Sequence, residues 1–183
     1  MNNPYQTPTA PVGMTNDVPY TPRFLSLSGR IGRLRYLAYC FAIALLGYAV
    51  MMLGTLLSLT LFGEDAGMVI TITLAVVLYI ALIVYTFGYM VRRLHDLNHS
   101  GWFCLLTLVP IVNLILVLYL LFARGQPASN RFGPRPAANT TGVVILAVMM
   151  PVLLTAIIGI LAAIAIPQYA EYVERAQAMQ SAP

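Results

Sequence analysis

The sequence predicts an all-α integral membrane protein, a small bundle of four hydrophobic segments. Three observations point there. First, 60% of the 183 residues are hydrophobic and only 9% are charged, against about 25% charged in a soluble domain. So few charges cannot coat a water-facing surface, so the bilayer must act as the solvent for most of the chain. Second, the apolar residues fall into four long runs, 36–62, 68–90, 102–122 and 142–166, and about 20 such residues cross the hydrocarbon core as a helix. Third, all ten Lys/Arg positions are arginine and lie beside those runs, the pattern of the positive-inside bias. The length suits one bundle.

Residues 1–22 hold Pro4, Pro8, Pro11, Pro19 and Pro22 among small and polar residues. They predict a disordered head, because they cannot bury enough surface to offset their ordering entropy. They lack the apolar core of a secretory leader. Residues 23–136 read as the membrane domain. Its first stretch, 23–35, carries Arg23, Arg30, Arg33 and Arg35 spaced by aliphatic residues. These are expected to snorkel toward headgroups or to grip anionic lipid. Tyr36 and Tyr39 then open the first apolar run where an aromatic belt would sit. The link 63–67 is short and acidic, which marks the outer side and forces the second run back antiparallel.

The third run, 102–122, has Pro110 and Asn113 at its centre. Proline removes a helical hydrogen bond and disfavours helix at the residue before it. The run is therefore either a kinked full span or a re-entrant hairpin turning at 109–113. Full crossing would leave seven arginines inside against three outside, whereas a hairpin would leave nine against one, Arg175. Charge favours the hairpin, while base rate favours the span, because re-entrant segments need protein or a cavity around them. The loop 123–141 is polar and turn-rich, and Gly133-Pro134 and Pro136 exclude regular structure. Residues 137–183 read as a last transmembrane helix, 142–166, and a tail. Pro151 predicts a kink, and Gly159 and Ala163, four apart, would let another helix approach closely. In the amphipathic tail Glu171 and Arg175 are spaced to pair.

Residues 91–102 form the densest polar stretch, holding Arg92, Arg93, both histidines and the single tryptophan. Arg92 and Arg93 directly after a span read as topology signals and headgroup anchors. His95, Asp96, Ser100, Trp102, Asn130 and Arg131 are the candidate cytoplasmic polar cluster, if the 123–136 loop folds back beside the belt. His95 and His99 would share a helix face as metal ligands do, but no third ligand accompanies them. No metal or other cofactor is expected. Cys40 and Cys104 fall in apolar runs without zinc-site spacing, so packing is their expected role.

With those residues in view, two resemblances can be named. Gly29-Arg30-Ile31-Gly32-Arg33-Leu34-Arg35-Tyr36 is the first of three matching pieces. Arg92-Arg93-Leu94-His95-Asp96 with Ser100-Gly101-Trp102 is the second. Gly125-Gln126-Pro127 with Asn130-Arg131-Phe132-Gly133-Pro134-Arg135-Pro136 is the third. In this order they resemble a bacterial inner-membrane family called domain of unknown function 805. The resemblance implies a multi-pass protein of the bacterial inner membrane and no defined activity. The chain departs from the family at Leu97-Asn98-His99, where a Thr-Gly-basic type of turn is usual, so His99 is not a family position. Residues 156–177 are similar to the N-terminal helix of type IV pilins. The Gly-Phe cleavage site and early glutamate of a pilin are missing upstream, so the similarity implies a pilin-like anchoring helix and no processing.

Function is therefore expected to be that of a non-enzymatic scaffold or accessory protein, with its N-terminus and arginine-rich face cytoplasmic. Its expected partners are the bilayer, anionic headgroups, and the helices of pilins or of another copy. The alternative is a small transporter or channel subunit with a cavity at the Pro110/Asn113 break. Nucleic acid is not expected, because no basic tract lies away from the apolar runs. No Asp, Glu, Lys, Arg or His lies inside an apolar run, which argues against a proton-coupled pump. No serine, cysteine or carboxylate constellation suggests covalent or acid–base catalysis.

Overall fold

The computed structural model describes residues 18–181. Most of the expected head, 1–17, lies outside the described residues, and no strand occurs among those described. Two helical stretches, Arg33–Asp96 and Thr141–Met179, are long and apolar enough to cross a membrane. The first is two arms. Gly63 breaks it with φ 75° and ψ −175°, a conformation open essentially to glycine alone. The arms are α1 (33–62) and α2 (64–96). A short 3-10 helix, Gly101–Leu108, follows. It leads into α3, Pro110–Phe122, and α4, Thr141–Ser181.

The acidic link is tighter than its sequence suggests. Glu64 to Gly67 are helical, and Gly63 alone turns the chain. The arms run antiparallel, in a register where Ser58 and Thr71 hydroxyls share a hydrogen bond of 2.7 Å. At the other end Tyr39 meets Tyr89, with ring centroids 5.6 Å apart. At about 1.5 Å per residue each arm is ~45–50 Å long, beyond the ~30 Å hydrocarbon core. Each therefore carries polar turns past its apolar run. α2 does not stop at Met90 but continues through Arg92, Arg93 and His95 to Asp96. The residue at 98 then takes the left-handed conformation, φ 61°, which asparagine tolerates better than most residues.

The third apolar run is broken before Pro110. Val109 is extended, and proline at the first position of α3 suits a helix start. The 3-10 helix and α3 fold back on each other, with His99 Nε2 and the Tyr119 hydroxyl 2.9 Å apart. Both ends of the run thus lie at the end of the bundle where α1 starts and α2 stops. α4 begins there too and continues as one helix through Pro151 and Pro167. Its 41 residues make a rod of about 60 Å.

The buried core sits entirely at this polar end. It comprises Ile31, Tyr36, Ala38, Tyr39 and Ile43 of the first strand of chain, Tyr89, Met90, Leu94 and Leu97 around the end of α2, Leu116 and Leu120 of α3, and Ala147 of α4. Away from it the helices expose apolar side chains, as lipid-facing surfaces do. Two expectations change. Tyr36 and Tyr39 are not belt residues, because both are buried, and Tyr39 packs edge-on against Phe24 at 5.2 Å. Residues 20–22 do not belong with a disordered head. Tyr20 pairs its backbone with Arg135 and Ala137, and Pro22 accepts the Tyr39 hydroxyl at 2.9 Å.

Candidate functional site

The polar end is a cap built from three pieces of chain, 20–36, 91–99 and 123–138. α2 brings Arg93 and Asp96 to one face, three residues apart. Arg93 Nη1 donates to Asp96 Oδ2 at 2.6 Å, and Arg30 Nη2 donates to Asp96 Oδ1 at 3.1 Å. Arg30 and Arg93 are fully buried, and Asp96 is 3% exposed. Such a bridge gains little net stability from charge alone, because desolvation offsets much of the attraction. Geometry makes it worthwhile, since the remaining guanidinium donors hold backbone carbonyls. Arg30 donates to Gln126 O at 2.8 Å, Ala128 O at 2.9 Å and Gly133 O at 3.0 Å. Arg93 donates to Leu120 O at 2.9 Å and Ala123 O at 2.5 Å.

The same device recurs around the cap. Arg35 donates to Ala137 O and Ala138 O at 2.8 and 2.7 Å, fastening the chain just before α4. Arg92 donates to Ser26 O and Arg23 O at 2.7 and 3.2 Å, fastening the 20–28 strap. Loops without regular structure leave carbonyls unpaired, and guanidinium forks satisfy them. The Tyr20 hydroxyl bridges the backbone N–H and carbonyl of Arg30. Gly125 lies so close to Asp96 that a Cβ there would collide with Oδ2. Only glycine lets the loop close over the carboxylate.

Among the candidate residues, the structure brings His95, Asp96, Asn130 and Arg131 together. Asn130 Nδ2 donates to His95 O at 2.8 Å, and Arg131 donates to Asn98 O at 3.0 Å. The His95 ring stacks on Phe132 with centroids 3.9 Å apart. Ser100 caps the 3-10 helix through its backbone, with Phe103 N–H donating to its carbonyl at 3.2 Å. Trp102 is 79% exposed and stands outside the cluster. His99 turns away from His95 to Tyr119.

The headgroup-anchor reading needs correction for four arginines. Arg30, Arg35, Arg92 and Arg93 are at most 2% exposed, and each donates to backbone carbonyls inside the protein, Arg92 through Nη1 alone. Arg33 is exposed and donates to Phe122 O at 3.2 Å. Gly159 and Ala163 are exposed, and a Cβ on Gly159 would meet nothing within 4 Å. Sequence reasoning placed Arg30 on the surface and did not pair it with Asp96. The signal was the shared order of the three motifs, since each contributes one member of the cap.

Helices that expose their apolar sides and gather their charges inside a cap define an integral membrane protein. The chain belongs to the family described as Protein of unknown function (DUF805), which matches residues 24–134. It is 42% identical over 45 residues to inner membrane protein YhaH of Escherichia coli (strain K12), covering 25% of this chain and 37% of that protein. It is 26% identical over 113 residues to inner membrane protein YhaI of the same strain, covering 62% of this chain and 87% of that protein. Both relatives are inner membrane proteins by name, and the apolar helices here agree with that residence. No solved structure matches the chain.

Proposed function

We propose that this protein is a non-enzymatic scaffold or accessory protein of the inner membrane that presents α4 to another helix. The observation that carries the reading is the burial pattern of α4. Its first turns pack into the core through Val143, Leu146 and Ala147, whereas positions 151–179 are almost all exposed. A helix clamped at one end with a free apolar length beyond it suits contact with a pilin-type helix or a second copy. Photo-crosslinkers at Gly159 and Ala163 are expected to capture a helical partner in membranes. Capture of lipid alone would remove the reading.

In this reading α1, α2 and α4 cross the bilayer, and the run 101–122 is re-entrant. The cap and N-terminus are cytoplasmic. Nine arginines at the cap end against Arg175 at the other support that orientation. α3 is ~20 Å long, too short to span alone. In a background lacking Cys40 and Cys104, Ala128→Cys is expected to be labelled from the cytoplasm and Gln177→Cys from the opposite side.

A small transporter or channel subunit is the second reading. It is favoured by a cavity of about 210 Å³ between the hairpin and α2, lined by Leu94, His99, Phe103, Leu106, Leu116 and Tyr119. Those walls are mostly apolar and suit an acyl chain better than a hydrated solute. Cysteine accessibility across 105–118 that found every site dry would exclude it.

A further inference from the structure

We propose that an open cavity in the cap binds a phosphate group. The cavity is about 240 Å³ and lies between the start of α1, the end of α2 and the loop leading to α4. Asp96, Gln126, Arg135, Ala137, Ala138 and Asn139 line it. This goes beyond the scaffold reading and does not depend on it.

Several acceptors on the walls are already engaged. Both Asp96 oxygens hold guanidiniums, Oδ1 that of Arg30 and Oδ2 that of Arg93. The Gln126 carbonyl is held by Arg30, and those of Ala137 and Ala138 by Arg35. The Asp96 carbonyl accepts the Gln126 N–H at 2.9 Å. What remains toward the cavity is donor-rich. Among the described residues, the side chains of Arg135, Gln126 and Asn139 make no hydrogen bond. A guanidinium and two carboxamides can therefore be offered to a ligand. α4 starts two residues after Asn139, and the first N–H groups of a helix have no partner within it and favour an anion.

Charge points the same way. Arg33 and Arg124, chain neighbours of the lining residues Gly32 and Gly125, are exposed, as is Arg135. Asp96 is the one carboxylate at this end among the described residues, and two buried guanidiniums already face it. A cation would be repelled, and an apolar group would desolvate the donors without replacing their bonds. A phosphate offers several acceptor oxygens with negative charge, which suits a bidentate guanidinium. The group comes either from a lipid headgroup, since the cap adjoins the lipid-facing helices, or from a free phosphate.

The test uses full-length, delipidated protein in detergent. Three probes are titrated: inorganic phosphate, dihexanoyl phosphatidylglycerol and dihexanoylglycerol, which lacks phosphate. Binding of phosphatidylglycerol alone supports a headgroup source, and binding of inorganic phosphate supports a free one. Arg135→Gln is expected to weaken whichever phosphate probe binds about tenfold, as loss of a charge-assisted bond does, while Arg175→Gln leaves it unchanged. Because the Arg135 side chain makes no hydrogen bond among the described residues, the melting temperature of Arg135→Gln should match wild type. If it does not, Asn139→Ala carries the test, with weaker binding expected. The proposal is overturned if neither phosphate probe binds, if dihexanoylglycerol binds equally well, or if Arg175→Gln weakens binding as much as the cavity variants do.

Discussion

The cap and the far length of α4 handle polarity in opposite ways. In the cap, four arginines are buried and loops of irregular chain are stitched to them through backbone carbonyls. Along positions 151–179, leucines, isoleucines and valines are exposed, and almost nothing packs against them. In water this would be an inverted protein. In a bilayer it is the economical arrangement, because lipid tails solvate the aliphatic surface as well as a protein core would. The hydrophobic effect holds each helix in the membrane but does little to select its neighbours. Neighbour selection passes to polar contacts, and the cap is where nearly all of them lie. The family match follows the same division, ending at residue 134, before α4 begins.

The cap depends most on Asp96. Asp96→Ala leaves Arg30 and Arg93 buried without their carboxylate, and removing one partner of a buried pair costs about 3–5 kcal/mol. A large fall in melting temperature in detergent is expected. An unchanged value would show that the carbonyl bonds alone hold the cap. Gly125→Ala should act next, at about 1–3 kcal/mol. Its Cβ would meet a carboxylate that two guanidiniums prevent from moving. The readout is again thermal unfolding, and Gly125→Ala in the Asp96→Ala background should cost less than in wild type.

Outside the cap the effects should shrink. Ser58→Ala removes the hydroxyl contact to Thr71, the inter-helix bond within the lipid-facing hairpin. Such bonds average about 0.6 kcal/mol in membranes, so a small shift is expected. A loss as large as that of Gly125→Ala would show that the hairpin depends on polar contacts as much as the cap does. Gly159→Leu, on the free length of α4, should leave monomer stability within about 0.5 kcal/mol of wild type. If the helix docks on a partner there, the same variant should abolish the crosslink from that face.

Much of the fold was legible because it depends on runs and charges. The apolar stretches set the helices, the acidic link set the turn, and Pro110 set the break at Val109. The cap was only half legible. Its three motifs could be read in order, and Asn130 and Arg131 were expected beside His95 and Asp96. Arg30 and Arg93 were misread as headgroup anchors because an arginine next to an apolar run looks the same whether it faces lipid or protein. Which way it faces depends on carbonyls from loops about 30 to 100 residues away in sequence, and no local pattern encodes those. Phe132, which stacks on His95, was invisible for the same reason.

By itself the sequence determined that this is a membrane protein of long apolar helices with its arginines at their ends, because composition and periodicity decide how a chain partitions between water and lipid. Only the tertiary structure decided that Arg30, Arg35, Arg92 and Arg93 turn inward, that Asp96 joins two of them, and that a cavity opens beside Asp96, Gln126 and Arg135. Pairing between distant segments is set by three-dimensional approach, where buried donors must find acceptors.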